Sequence, residues 1–264
     1  MPEDGACATI LIHGAWQGSW AWDLLKPYLD AAGIRALAVD LPGNGRDGRA
    51  PEQIRLQDYL DYLDLLITSQ PGPVALAGHS GGGIFASLAA ERHAERVERL
   101  VYVAGMMLPN GMGYADLLGE TLGAEALATT GIVPHLRWSP DRAVSWVEPD
   151  AARTVFFSDC PAPLAEQLAV RLTGQPEAGR AVRPHLTPQR FGRIPRLYIE
   201  ALNDRSIPLA MQRRMQELSP GAQRISLPTG HVPQASRPDL LADAMVPFLT
   251  GPLPAPQPLF GHAS

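Results

Sequence analysis

The sequence predicts an α/β fold: a parallel sheet flanked by helices, with a helical insertion late in the chain. Three observations carry this. Short apolar runs alternate with segments of helical spacing, and the alternation lapses between residues 106 and 192 and then resumes. The 264 residues, 45% of them hydrophobic, are also enough to bury one large core.

The first strand is the apolar run Ala8 to Ile12, and the second spans Ile34 to Val39. Between them Trp20 to Ala32 has helical spacing and stops at Gly33, the residue type that best closes a helix in a left-handed turn. After the glycine-rich LPGNGRDG, the segment RLQDYLDYLDLLITS places Leu56, Tyr59, Leu60, Leu63, Leu66 and Ile67 on one helical face. Asp58, Asp61 and Asp64 lie on the other. Strands over Val74 to Ala77 and Leu100 to Val103 bracket a helix over residues 82–93. Strands alternating with helices call for parallel pairing.

Residues 106–192 are rich in proline and hold short helical patterns such as PLAEQLAVRL without clear strands, which predicts an inserted helical cap. RLYIEA, a helix over Leu209 to Leu218, AQRISL and a helix from Arg237 to Leu249 complete the pattern. The expected core is therefore residues 1–105 and 193–252, the cap 106–192, and a proline-rich tail 253–264.

Composition excludes several functions. The net charge is −5 and no basic run occurs, so neither nucleic acid nor an anionic membrane is an expected partner. No apolar stretch approaches the roughly 18 residues that cross a bilayer. Cys7 and Cys160 have no spacing suited to zinc or to a disulfide framework, and no metal or cofactor is expected. The N-terminal segment carries two acids and no basic region, so it reads as the approach to a core strand, and the expected location is cytoplasmic. A small-molecule partner fits, with the protein a monomer or homodimer.

Gly78-His79-Ser80-Gly81-Gly82 falls where the strand PVALA meets the helix GGIFASLAAERH. A strand-to-helix elbow lifts a serine hydroxyl to the carboxyl edge of the sheet, and the flanking glycines relieve crowding there. The pentapeptide by itself arises by chance in roughly a tenth of chains this long, so its context is what singles out Ser80. A serine hydroxyl needs a base, and the base needs an orienting acid. His231, in SLPTGHVP, and Asp204, in YIEALNDRSIP, each follow a late strand and so reach the same sheet edge.

His13, His79, His93, His135, His185 and His262 compete less well for the base, since none follows a late strand. Glu200 rivals Asp204 but falls within its strand, and Asp159 could serve only if the cap folded over the pocket. Acyl transfer also needs oxyanion donors. The amide of Ala15 in HGAW and that of Gly81 are placed to supply them. Trp16 could wall the acyl pocket, and Met106, Met107, Trp138, Trp146, Phe156 and Phe157 are candidate apolar lining, of which at most half are expected to touch substrate.

These segments together resemble the α/β-hydrolase superfamily, in particular its methylesterase and hydroxynitrile lyase-like branch, near bacterial pyrethroid-type carboxylesterases. The resemblance rests on LIHGAWQGSWAW, LAGHSGGG, TVFFSDC, VRP, RIPRLYIEALNDRSIPLAMQRRMQ and SLPTGHVPQASRPDLLA. It implies an α/β-hydrolase fold with six parallel strands, Ser80, Asp204 and His231 as catalytic triad, and Ala15 with Gly81 as oxyanion hole. The implied activity is a serine carboxylesterase acting on a small hydrophobic or aromatic ester, a pyrethroid-type or methyl ester among them.

The lyases of this branch carry threonine and lysine where this chain has Gly14 and Val232. Cyanohydrin cleavage, the second enzyme reading, therefore lacks the ammonium that would stabilise departing cyanide. A non-catalytic receptor on the same fold is a third reading.

Overall fold

The computed structural model describes residues 7–253; the tail beyond, residues 254–264, lies outside them. Strands β1 (Ala8–Ile12), β2 (Ala36–Val39), β3 (Val74–His79) and β4 (Val97–Val103) alternate with helices α1 (Lys26–Ala31), α2 (Leu56–Thr68) and α3 (Gly82–Arg92). The next segment holds α4 (Tyr114–Leu122), α5 (Ala126–Thr129), β5 (Leu136–Trp138), β6 (Val144–Val147), α6 (Pro149–Val155), α7 (Ala162–Ala169) and β7 (Gln175–Pro176). The chain then returns through β8 (Arg196–Ala201), α8 (Leu209–Leu218), β9 (Ala222–Leu227), α9 (Pro233–Ser236) and α10 (Pro238–Thr250).

Six strands form one parallel sheet in the order β2-β1-β3-β4-β8-β9. Successive strand residues point to opposite faces, and the two cores divide accordingly. Ile10, Ile12, Leu76, Leu100 and Tyr198 pack with Tyr59 and Leu63 of α2, Phe85 of α3 and Met211 of α8. Leu11, Ala77, Val101 and Leu197 pack with Leu29 of α1 and Leu241 and Met245 of α10.

Two expectations need correction. The helix expected from Trp20 begins only at Lys26: Ser19–Trp22 is a short 3-10 turn, and Pro27, which lacks an amide hydrogen, sits in the first turn of α1. Gly33, at φ 73°, ends it as expected. The insertion is also not purely helical, because β5, β6 and β7 form a small antiparallel sheet. With three, four and two residues, these strands are too short to show a period.

Candidate active site

In a parallel sheet all strand ends of one kind share an edge, so the loops after β1, β3, β8 and β9 converge. The order runs outward in opposite directions from β1 and β3, and the crevice at such a reversal is where α/β sheets bind ligands. Ser80 stands at this point, between β3 and α3.

Its backbone has φ 50°, a left-handed conformation uncommon for a residue with a side chain. Ser80 N–H donates to the Val103 carbonyl (3.2 Å), and its own carbonyl accepts from Gly83 N–H (3.0 Å) and Met106 N–H (2.8 Å). The elbow is tight enough to demand glycine beside it. A Cβ on Gly82 would lie 2.5 Å from the carbonyl oxygens of both Ile12 and His13, and one on Gly78 would lie 2.7 Å from Gly82 O.

Ser80 Oγ lies 3.1 Å from His231 Nε2, and His231 Nδ1 lies 2.8 Å from Asp204 Oδ2. Asp204 is fixed in turn: its Oδ1 accepts from Ser206 N–H (2.7 Å) and Ile207 N–H (2.9 Å). His231 is 1% and Asp204 8% exposed, so this chain of hydrogen bonds works with little competition from water. An imidazole against a hydroxyl, with a carboxylate behind it, is an arrangement that can withdraw the hydroxyl proton.

Two amides of residues that line the same cavity as Ser80, those of Ala15 and Gly81, have no acceptor among the described residues. A Cβ built on Gly81 would lie 3.6 Å from Ala15 N, so the two groups are close neighbours. Gly14 allows this approach, since a Cβ there would meet Ser80 Cβ and His79 Nδ1 at 2.9 Å.

Two further histidines brace the loops. His13 Nδ1–H donates to the Gly14 carbonyl (2.7 Å) while Nε2 accepts from Leu41 N–H (3.0 Å), and burial pushes its pKa down to about 4. His79 Nε2–H donates to the His231 carbonyl (2.8 Å). Burial, and then the neighbouring His231, holds His79 well below the ordinary histidine range. The Gln17 side-chain oxygen accepts from Gly14 N–H (3.2 Å), which braces the β1 loop where its amide packs against the His79 ring.

The cavity that Ser80 lines is small, about 60 Å³. Its apolar wall includes Trp16, Leu41, Ile84, Met106, Ile132 and Ile207; Tyr114, Gln175 and Arg180 are among its polar members.

The alpha/beta hydrolase family model matches residues 9–244. The chain belongs to the α/β-hydrolase family. It is 32% identical to a pyrethroid hydrolase of Sphingobium wenxiniae over 92% of this chain and 88% of that one. It is also 32% identical to salicylic acid-binding protein 2 of Nicotiana tabacum, over 77% of this chain and 82% of that one. The crystal structure of a pyrethroid hydrolase from Sphingobium faniae JZ-2 superposes with a TM-score of 0.81 at 29% identity, covering 94% and 98% of the two chains. The family of hydrolases and the six-stranded sheet expected from sequence are thus both present.

The structure brings Ser80, His231, Asp204, Ala15 and Gly81 together, and Trp16 and Met106 line the cavity. Trp138, Trp146 and Phe156 do not line it. Trp138 faces an outer cleft, packed by the guanidiniums of Arg142 (4.3 Å) and Arg180 (5.5 Å), and Trp146 is 40% exposed on the surface. Phe156 is spent on packing: it stacks on the rings of His231 (5.4 Å) and Trp16 (5.9 Å) and covers the imidazole. Met107 and Phe157 are buried in the two cores.

Of the rival acids, Glu200 is wholly buried in β8 and accepts from Gln216 and Ser226. Asp159 accepts from Gly230 N–H (2.6 Å), next to His231 but not on its ring. The sequence reading missed Tyr114, Gln175 and Arg180, which lie in the insertion with no motif around them. Ser206 and Ile207 were within reach of it, since a carboxylate followed by open amides is a turn signal.

Among the described residues no helix is long and apolar enough to cross a membrane.

Proposed function

We propose that the protein is a serine carboxylesterase acting on small hydrophobic or aromatic esters through an acyl-enzyme. The observation that carries this reading is the Asp204–His231–Ser80 hydrogen-bond chain ending on a serine held at positive φ. His231 Nε2 takes the Ser80 proton as Oγ bonds to the ester carbonyl carbon. The developing oxyanion accepts from the Ala15 and Gly81 amides, each such donor lowering the barrier by about 2.7 to 4 kcal/mol. Asp204 stabilises the imidazolium, which then gives its proton to the leaving alkoxide as the C–O bond breaks. Water, deprotonated by His231, attacks the acyl carbon, and collapse releases the acid and restores Ser80.

The apolar wall and small volume favour a small, largely hydrocarbon acyl group. One relative is named for hydrolysing pyrethroids and another for binding salicylic acid, an aromatic acid of the kind that ester hydrolysis releases. A lyase reading is disfavoured, because Val232, beside His231, is apolar and 1% exposed.

The test is steady-state hydrolysis of p-nitrophenyl esters of increasing acyl length, wild type beside Ser80→Ala and His231→Ala. Turnover lost in both variants supports the reading. Negligible turnover of every ester by folded wild-type protein overturns it.

A further inference from the structure

The cavity over Ser80 has apolar walls, yet one end carries a guanidinium and a phenol. Arg180 Nη1–H donates to Glu177 Oε2 (3.1 Å), and no other acceptor for the Arg180 N–H groups is found among the described residues. Its guanidinium carbon lies 5.0 Å from the Trp16 ring centroid and 5.5 Å from that of Trp138, so aromatic packing fixes the plane of the group. The Tyr114 hydroxyl likewise has no partner among the described residues. Burial lowers the pKa of Arg180 and raises that of Tyr114, and each lies near enough to bear on the other's ionisation. Tyr114 therefore stays a neutral phenol with a proton to donate.

Tyr114, Val133 and Arg180 also line an outer cleft that includes Trp138, Arg142 and Glu177. They thus form the neck between the cavity that holds Ser80 and the cap surface. Both side chains are only partly exposed and have donors free beside an apolar cavity, so a bound group that accepts from them is favoured over one that cannot. The charge of the bound group follows from Glu177. Of the charges lining the outer cleft, Arg183 pairs with Asp116 and Arg142 packs on Trp138, while Glu177 pairs with Arg180 itself. An anion set on Arg180 would therefore lie against that carboxylate, whereas a neutral oxygen gains hydrogen bonds without that repulsion.

We propose that Arg180 and Tyr114 form a hydrogen-bonding subsite at this neck, selecting esters that carry a second, neutral acceptor such as a ketone or ether oxygen. The subsite rests on the esterase reading for its substrate class, but it binds whether or not Ser80 reacts.

Two measurements separate the ideas. The first compares kcat/KM for p-nitrophenyl heptanoate with its 4-, 5- and 6-oxo analogues and with the p-nitrophenyl monoester of glutaric acid. The second measures binding of the corresponding methyl esters to Ser80→Ala by calorimetry, which needs no turnover. The expected result is that the best oxo ester exceeds heptanoate by about tenfold in both, the worth of one hydrogen bond to a charged donor. That advantage should fall to about twofold or less in Arg180→Met and in Tyr114→Phe, the latter removing only a hydroxyl. Equal or weaker binding of every oxo ester overturns the subsite, as does an advantage unchanged in both variants. Preference for the glutarate monoester overturns the neutral class. Absence of turnover with oxo-selective binding intact would sink the esterase reading and leave the subsite standing.

Discussion

The sheet and the insertion hold their parts of the site by different means. Ser80, His231 and Asp204 stand on loops a few residues past strand ends, where ladder hydrogen bonds and buried side chains such as His79 fix the backbone. Beside the oxyanion loop the insertion grips that frame through Trp16. Its N–H donates to Gln175 Oε1 (2.9 Å), its indole Nε1–H lies 3.2 Å from Ser145 O, and its carbonyl accepts from Thr173 N–H (2.8 Å). Trp16 itself has φ 63° and follows Ala15 directly, so the small β5-β6-β7 sheet reaches the proposed oxyanion loop. The difference teaches that the proposed bond-breaking groups are set by the core, while the insertion closes a pocket the core begins and adds Tyr114, Gln175 and Arg180 to it.

The sharpest break falls on the core. Ser80→Ala and His231→Ala should each lower kcat by a factor of 10⁴ or more, roughly what removing a member of such a unit costs, measured on p-nitrophenyl butyrate. Asp204→Asn should come close to this with the fold intact by circular dichroism.

Gly82→Ala comes next, acting on stability. With its Cβ forced to 2.5 Å from two carbonyl oxygens, thermal or urea unfolding should show a loss of about 3 kcal/mol.

Acid should loosen the same region. His13 has its folded pKa depressed to about 4, against about 6.5 in the unfolded chain, and His79 shifts in the same direction. Below 6.5 the unfolded chain takes up the proton first. The stabilisation is therefore complete above pH 6.5 and is lost as pH falls towards 4. His13 alone accounts for about 3 kcal/mol. Protonated Nε2 could no longer accept from Leu41 N–H. Urea unfolding at pH 7 and pH 4.5, for wild type and His13→Asn, would show whether the pH slope belongs to this ring.

The insertion should answer more gently. Gln175→Ala leaves Trp16 N–H without its acceptor and should lower kcat/KM about tenfold, through the loop that carries Ala15. A loss as deep as that from Ser80→Ala would erase the division of labour. Trp146→Ala, at an exposed position off the cavity, should change kcat/KM by less than about twofold, as surface substitutions do.

The sequence alone determined the core. Residues buried on both faces of a parallel sheet form continuous apolar runs, amphipathic helices such as Leu56–Thr68 show their period, and Gly33 marks its turn. Ser80, Asp204 and His231 were legible for the same reason. Each follows a recognisable strand, and parallel strands carry their ends to one edge however far apart they lie in sequence. Tertiary structure alone decided the rest. Strands of two to four residues have no period to read, Phe156 and Trp138 look alike as apolar residues until packing assigns them, and Arg180 reaches the cavity through contacts spanning much of the chain. Local pattern records which face of an element is buried. Which side chains meet across an insertion depends on distant residues, and no window of sequence contains them.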